Sequence, residues 1–177
     1  MAQGHVRPGR PGDAGEIARI QVATWQIAYR RLFPRHVLAD LDETEFAATW
    51  RDSIMAPPTE RHRVLVAVEQ SSTSSYVVGF IASGPAEDPD AGPDVAEITE
   101  LLVEPRWGRR GHGSRLLAAA ADHWRDDAYT SALAWVFDQA PAMPTFLGSA
   151  GWAPDGARRS LDVEDMLVPQ SRYATLL

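Results

Sequence analysis

Apolar and polar residues follow two patterns along this chain, one with the period of a β-strand and one with the period of an α-helix. Short runs rich in β-branched and aromatic residues, bounded by glycine, proline or acidic turns, predict strands. These runs lie at residues 5–7, 64–68, 76–82, 95–103, 131–137, 158–163 and 171–176. The polar residues 69–75 between the second and third runs predict a hairpin of two antiparallel strands.

A helical period begins at Asp13 and continues to about Arg31. Glu16 follows Asp13 by three residues, which predicts a capping box at the start of this helix. One stripe at helical spacing is expected to face the core: Ile17, Ile20, Ala23 and Ile27. A neighbouring stripe carries two large aromatic residues four positions apart: Ala18, Val22, Trp25 and Tyr29.

Three further helices are predicted along the chain, and residues 34–42 predict a loop. The helix at residues 43–54 places Phe46 and Trp50 on one side. The helix that follows Gly113 has one apolar face: Leu116, Leu117, Ala120, Ala121 and Trp124. The last is a short helix within residues 139–150, interrupted by two prolines.

The rest of the chain is organised around residues 95–117. A buried strand is ended by Pro105, a basic loop containing Gly111 and Gly113 follows, and a helix begins with little side-chain bulk. Glycines leave backbone N–H groups uncovered, and the start of a helix carries a partial positive charge. The sequence therefore predicts a cradle for a pyrophosphate. Because a helix separates the strands at 95–103 and 131–137, these strands are expected to be parallel.

Two well-known nucleotide-binding loops fit this stretch poorly. A Walker-type loop requires Gly-Lys followed by Ser or Thr, whereas all 17 Lys and Arg residues of the chain are arginines. A Rossmann fingerprint requires a third glycine three residues after Gly113, where Leu116 stands.

The stretch resembles motif A of the GCN5-related N-acetyltransferases, the GNAT superfamily. In that motif a strand ending in Leu-x-Val precedes an (Arg/Gln)-x-x-Gly-x-(Gly/Ala) loop and a helix. Here Leu101-Leu102-Val103 ends the strand and residues 108–113 form the loop, with Gly108 where the family has Gln or Arg. The resemblance implies one α/β domain over residues 1–177, with a mixed, mostly antiparallel sheet of six to seven strands, a splayed parallel pair and about four flanking helices.

By the same resemblance, the expected activity is transfer of an acetyl group from acetyl-CoA to a primary amine of a small molecule or peptide, by direct attack in a ternary complex. The implied acetyl-CoA contacts are Leu101, Leu102, Val103, Arg109, Arg110, Gly111, His112, Gly113 and Ser114. The backbone N–H of Leu102 or Val103 is the implied oxyanion donor. Trp25 and Tyr29 are the implied acceptor contacts, and completing the core is the alternative role for both.

Two glutamates in the central strand are candidates for the general base. A carboxylate in an otherwise apolar strand is costly unless it has a partner or a task. Glu97, fourteen residues before Gly111, stands where the histone-acetylating branch of the family has its base, and we favour it, acting through water, over Glu100. Strict alternation puts the two on opposite faces, so only one would face the acceptor unless a bulge intervenes.

The expected proton donor to the thiolate is missing. Many family members have a tyrosine four residues before the glycine that corresponds to Gly151, and that position here is Leu147. Water, Tyr129 or Tyr173 remain as donors. Two other functional classes therefore stay open: a catalytically degenerate protein that senses acyl-CoA, and an unrelated nucleotide-binding α/β domain.

Composition narrows the choice of partners. A net charge of −7 argues against sequence-independent binding of DNA or RNA, whereas the arginines at 106, 109, 110 and 115 suit one small polyanion. The chain has no cysteine and its five histidines lack ligand-like spacing, so no metal is predicted. With no secretory signal and no run long enough to cross a bilayer, we expect a soluble cytoplasmic protein. A homodimer through the last strands rests on the family resemblance alone.

Overall fold

One seven-stranded sheet runs through the part of the chain that the structure, a computed structural model, describes: residues 3–177. Its strands are β1 (Gln3–Pro8), β2 (Arg63–Gln70), β3 (Ser75–Pro85), β4 (Val95–Val103), β5 (Ser131–Phe137), β6 (Ala153–Val163) and β7 (Met166–Leu176). The spatial order is β1-β2-β3-β4-β5-β7-β6. Only β4 and β5 pair in parallel within these residues, which confirms the mixed, mostly antiparallel sheet predicted from the sequence.

Helices cover both faces of this sheet. They are α1 (Ala14–Ala28), α2 (Arg35–Ala39), α3 (Glu43–Met55), α4 (His112–Asp126) and α5 (Ala142–Ser149). α1 and α3 pack on one face, and α4 and α5 pack on the other. Two short 3-10 turns, Pro11–Asp13 and Pro105–Trp107, lead into α1 and into the glycine loop.

Each face of the sheet has its own apolar core. On the α1 face, Ile17 and Ile20 are fully buried against Phe80 of β3 and its neighbours. On the α4 face, Leu116 and Trp124 pack on the opposite sides of the same strands. Full burial of one such side chain contributes about 2 kcal/mol, so the two cores hold the helices firmly on the sheet.

At one point of its pairing with β3, the central strand β4 contains one extra residue. Glu100 pairs with Ala82 of β3, and the next pair involves Ile98, so Thr99 has no partner there. Such a bulge interrupts the alternation of faces. Ile98 and Leu101 both pack in the core under α4. Glu97 and Glu100 therefore lie together on the α1 face, and the strict alternation expected for them does not hold.

The start of the first helix differs from the prediction. Asp13 has helical backbone angles and makes no cap to the N–H groups of α1. Its carboxylate instead accepts hydrogen bonds from the Arg10 N–H and the Arg7 side chain, each at 2.7 Å. The reason is that Pro11 starts a 3-10 turn whose third residue is Asp13, so the carboxylate closes that earlier turn. The predicted capping box is wrong.

The end of the first helix also differs. α1 stops at Ala28 and not near Arg31, and Ile27 is 58% exposed although the sequence placed it in the core. Gln26 and Ala28 are exposed as well, so this side of the last turn of α1 faces solvent. Residues 35–39, predicted as loop, form the short helix α2.

The last two strands are longer than predicted and form one hairpin. β6 and β7 are joined by Glu164 and Asp165, whose φ angles are +51° and +67°. These angles are typical of a two-residue hairpin turn that glycine and asparagine usually occupy. The acidic pair gives no such signal, which is why the sequence placed a longer connection here. Within residues 3–177 no helix combines the length and the hydrophobicity needed to cross a membrane.

Candidate active site

β4 and β5 separate at their carboxyl ends. Their pairing runs from Val95 with Ser131 only as far as Ile98 with Ala134. β4 continues to Val103 and β5 to Phe137 without another pair between them. A gap therefore opens between two parallel strands, next to the loop that follows β4.

Backbone N–H groups of β4 face this gap. The Glu104 N–H donates to the Val78 carbonyl oxygen of β3 at 2.8 Å. In an antiparallel pair every second residue of a strand is hydrogen-bonded to its neighbour, so this bond shows which residues of β4 are bonded to β3. By this alternation Leu102 is bonded to β3, whereas the N–H groups of Leu101 and Val103 point away from β3. Of the two amides expected as oxyanion donors, the geometry favours Val103.

The loop after β4 offers a run of unpaired amides. The N–H groups of residues 109–114 make no hydrogen bond of normal geometry within residues 3–177. Arg115 is the next residue whose N–H is bonded, to the Gly111 carbonyl oxygen at 3.0 Å. Arg109 and Gly111 have φ angles of +60° and +80°, a region that glycine occupies without strain. These amides lie at the start of α4, where the helix dipole favours an anion.

The glycines also keep the loop clear of side chains. A Cβ atom on Gly113 would lie 3.4 Å from the Phe146 ring of α5 and 3.9 Å from Val103. A Cβ atom on Gly111 would lie 3.0 Å from the Arg115 guanidinium and would be strained by its positive φ. The residues present therefore fit a diphosphate held mainly by backbone amides.

Most arginines of the loop support the loop itself. Arg115 Nη2 donates to the Arg110 carbonyl oxygen at 2.8 Å. The Arg110 guanidinium lies 4.8 Å from the centroid of the Trp107 ring. Arg109 makes no ion pair or side-chain hydrogen bond within residues 3–177, and it is exposed beside the free amides. Among these three arginines, Arg109 is the side chain best placed to meet an added phosphate.

His112 contributes its backbone to the loop and turns its side chain inward. The residue is 1% exposed, and its Nε2 lies 3.0 Å from Oε2 of Glu69, without hydrogen-bond geometry. Burial, with the nearby Arg115 guanidinium, lowers the pKa of His112. The imidazole of this predicted contact residue is thus packed beneath the loop, away from the unpaired amides.

Glu100 is the more perturbed of the two glutamates. Burial raises the pKa of its carboxyl to about 7, and the nearby Trp25 indole and Gln21 amide offset part of this rise. Gln21 Nε2 lies 3.5 Å from the carboxyl, while Trp25 Nε1 is buried without a hydrogen bond of normal geometry in the described chain. A carboxyl group that titrates near neutral pH suits a general base.

Glu97 lies on the same face in a more polar setting. Its Oε2 accepts a hydrogen bond from the Glu87 N–H at 3.3 Å. Burial raises the pKa of Glu97, the Glu87 N–H and the Arg159 guanidinium lower it, and nearby Asp88 raises it further. It therefore lies at the edge of the site, against the loop between β3 and β4.

Trp25 and Tyr29, the acceptor contacts that the resemblance implied, lie beside Glu100. The Tyr29 ring packs on Trp25 and on Phe137, with centroids 6.0 and 5.0 Å apart. Burial and the charge of Glu100 raise the pKa of the Tyr29 hydroxyl. Phe33 packs on Phe137 at 5.5 Å and completes an aromatic wall between α1 and β5.

The three candidates for the proton donor occupy different places. Leu147 is fully buried in the core under α4 and α5. Tyr129 follows the far end of α4, about 20 Å from the glycine loop along a helix of 15 residues. Tyr173 pairs with Ala134, in the last row of the sheet before the gap opens. Only Tyr173 is therefore near the gap.

Two residues of the site escaped the sequence analysis. Gln21 is 5% exposed and accepts a hydrogen bond from Trp50 Nε1 at 2.7 Å while it reaches toward Glu100. A polar residue on the buried side of α1 was the available signal. Phe137 gave no signal, because its contact with Tyr29 joins segments more than 100 residues apart. Residues 3–177 contain no group of three His, Cys, Asp or Glu side chains placed to bind a metal.

Comparison with known proteins gives one family. The family model described as the acetyltransferase (GNAT) family matches residues 21–149. The uncharacterized N-acetyltransferase YuaI of Bacillus subtilis is 28% identical over 138 residues, which cover 78% of this chain and 74% of that protein.

Solved structures share the fold at low identity. The PaiA N-acetyltransferase of Thermoplasma acidophilum in complex with coenzyme A has a TM-score of 0.70 at 13% identity, over 96% of this chain and 98% of that one. YncA of Salmonella typhimurium with acetyl-CoA has a TM-score of 0.71 at 16% identity, over 98% and 94% of the two chains. A GCN5-related N-acetyltransferase of Kribbella flavida has a TM-score of 0.72 at 18% identity, over 98% of each.

Proposed function

Since the chain belongs to the acetyltransferase (GNAT) family and is therefore an acyl-CoA-dependent acetyltransferase, we propose that it transfers acetyl from acetyl-CoA to a primary amine of a small molecule or peptide. The transfer is direct, within a ternary complex of enzyme, donor and acceptor. The observation that carries the proposal is the gap between β4 and β5, which opens beside six unpaired loop amides.

The donor side is built mainly from backbone. The amides of residues 109–114 would hold the diphosphate of acetyl-CoA, with Arg109 adding charge. The free N–H groups of Leu101 and Val103 would bond the pantetheine arm and the acyl oxygen. Acetyl-CoA, when bound, supplies the acetyl group as a thioester. Two of the family structures similar to this chain hold coenzyme A or acetyl-CoA, which supports this choice of donor.

The acceptor side lies on the α1 face. Transfer forms an N–C bond, breaks a C–S bond, removes one proton from the amine and adds one to the sulfur. Glu100 takes the proton from the amine, because its carboxyl titrates near 7 and lies beside the aromatic wall. Glu97, which the sequence favoured, is less buried, so it serves as the alternative base. Trp25 and Tyr29 contact the acceptor.

Tyr173 is the side chain we assign as proton donor to the sulfur. It occupies the last paired row before the gap and is packed against the α4 core, so it faces the side from which the donor enters. Its assignment replaces the tyrosine that Leu147 does not provide.

One observation favours a second function, that of an acyl-CoA sensor without turnover. Leu147 is fully buried where many family members have their acid, and this leaves the sulfur without the usual donor. Both functions require the same cradle and differ only in chemistry.

Two measurements test the proposal in turn. Titration calorimetry with acetyl-CoA reports binding, and release of free thiol in the presence of a panel of amines reports transfer. An enzyme binds acetyl-CoA and releases thiol only with an amine present. A sensor binds and releases none. Absence of binding at millimolar acetyl-CoA contradicts both functions.

A further inference from the structure

The guanidinium of Arg159, on the acceptor side of the sheet, makes no ion pair within residues 3–177. We propose that Arg159 binds a carboxylate of the acceptor, and that the acceptors are therefore α-amino acids, in which carboxylate and amine are close together. This inference rests on the proposed function and specifies its substrate class.

Two contacts fix the position of the Arg159 guanidinium. It lies 4.3 Å from the centroid of the Trp135 ring, and its Nε donates to Gln170 Oε1 at 2.7 Å. Gln170 is 6% exposed, so the acceptor of that hydrogen bond is itself held in place. Arg159 pairs with Gln170 and Gln170 with Phe137, so this row shares a face with the aromatic wall. A guanidinium held in one orientation loses little entropy when it binds an anion.

The other nitrogens of Arg159 are free. Nη1 and Nη2 make no hydrogen bond or ion pair within residues 3–177, whereas the neighbouring Arg172 is fully engaged. Arg172 contacts Asp88, Asp90 and Asp155 at 2.9, 2.7 and 2.6 Å. These three carboxylates surround Arg172, and none contacts Arg159. Two adjacent free Nη groups match the two oxygens of a carboxylate.

The position of Arg159 relative to the glutamates favours an acceptor that is a zwitterion. Trp135, over whose ring the Arg159 guanidinium stacks, lies on β5 two residues beyond Leu133, the partner of Glu97. On this face of the sheet, one edge of the site thus carries Glu97 and Glu100 of β4, and the other carries the Arg159 guanidinium over β5, near enough to Glu97 to lower the pKa of its carboxyl. An ammonium directed to the glutamates and a carboxylate directed to Arg159 complement both edges. A simple cation would lack a partner at one edge, and a simple anion would be repelled at the other.

Matched acceptors test this arrangement with the full-length protein. Phenylalanine, phenylalaninamide and 2-phenylethylamine share the amine and the ring but differ in the carboxylate, and alanine with alaninamide and ethylamine provides a small series. Release of free thiol from acetyl-CoA is measured for each. We expect kcat/KM for each amino acid to exceed that for its amide and its amine by at least tenfold.

Two variants test whether the preference for a carboxylate depends on Arg159. Arg159→Ala is expected to lower kcat/KM for the amino acids at least tenfold and to change the values for the simple amines less than twofold. Arg158→Ala is the matched control, since this neighbouring arginine of β6 pairs with Asp138 and occupies the next row of the sheet. Arg158→Ala should change kcat/KM neither for the amino acids nor for the simple amines. Both positions are exposed, so neither variant is expected to unfold the protein.

A binding measurement does not depend on turnover. Calorimetry with N-acetylphenylalanine and with N-acetyl-2-phenylethylamine should show tighter binding of the acid, and Arg159→Ala should remove the difference. Transfer to amines with no preference for a carboxylate, or an equal loss for all acceptors in Arg159→Ala, overturns the inference and leaves the proposed function intact. Acetyl-CoA binding without transfer to any amine overturns the proposed function, and the inference with it.

Discussion

Gln21 and Glu100 meet where α1 crosses β4, with Gln21 Nε2 3.5 Å from Glu100 Oε2. Trp50 of α3 donates to the other end of the Gln21 amide at 2.7 Å. The amide therefore presents its N–H side to the carboxyl, and α1 and α3 together orient the proposed base. A structural link of this kind explains how a carboxyl group with a pKa of about 7 keeps one position during proton transfer.

The base assignment predicts a pH profile. The active form of Glu100 is the carboxylate, so kcat/KM should rise with pH through about 7 and then level off. Glu100→Gln should lower transfer about 100-fold at pH 7.5, remove this rise, and leave acetyl-CoA affinity within twofold. Initial rates between pH 5.5 and 9 measure this. Glu97→Gln is the matched change, and a larger loss there would move the role of base to Glu97.

Stability should also depend on Glu100. Its folded-state pKa is raised above the ordinary value of 4.5, so the folded state binds this proton more tightly than the unfolded state does. This contribution to stability is present below about pH 4.5 and is lost as the pH rises through about 7. Relative to Glu100→Gln, the wild-type protein should lose roughly 1 to 3 kcal/mol between pH 5 and pH 8. Urea unfolding of both proteins at pH 5 and pH 8 tests this. If the difference in unfolding free energy between wild type and Glu100→Gln is the same at both pH values, the assigned pKa is contradicted.

The cradle predicts a selective effect of Gly111→Val. A β-branched residue is strained at a φ of +80°, and its side chain would cover the free amides. Calorimetry should show at least a 100-fold loss of acetyl-CoA affinity. Gly156→Val controls for strain, because Gly156 has a φ of +94° and open space around its Cβ position, in the distant hairpin. Native affinity in Gly111→Val would mean that the phosphates bind elsewhere.

The proton donor predicts different outcomes for two tyrosines. Tyr173→Phe should lower kcat about tenfold and leave acetyl-CoA affinity unchanged, because the hydroxyl acts on the departing sulfur. Tyr129→Phe should leave kcat unchanged, since Tyr129 follows the far end of α4. Steady-state rates with a saturating acceptor measure both. If Tyr173→Phe retains full kcat, water or another group protonates the sulfur.

The sequence predicted β4 and β5 with correct bounds because the signals are local, whereas α4 begins at His112, inside the predicted loop of residues 108–113. Pro105 ends the strand, Gly111 allows the left-handed turn, and the apolar run of β5 has clear limits. The bulge at Thr99 could not be predicted, since it exists only in the register between β3 and β4.

Long-range contacts account for most of the remaining differences. Gln21 and Glu100 are 79 residues apart, and nothing near Gln21 in the sequence indicates a carboxyl partner. The sequence likewise gives no indication that Arg159 could bind an anion. That role depends on its contacts with Trp135 and Gln170, and on the fact that the nearby carboxylates pair with Arg172. The acceptor side is assembled from residues of α1, β4, β5, β6 and β7, whereas the cradle is one continuous stretch.

The extra residue at Thr99 keeps Glu97 and Glu100 on one face although they are three positions apart. Replacing this exposed threonine should matter little. Deleting it would restore a regular zigzag and leave Glu97 on the α1 face, with Ala96 and Ile98 still in the core beneath α4. Removing two residues between Glu97 and Glu100 would instead put the two carboxylates on opposite faces, so the acidic pair tolerates the loss of one residue at this point of β4 but not of two.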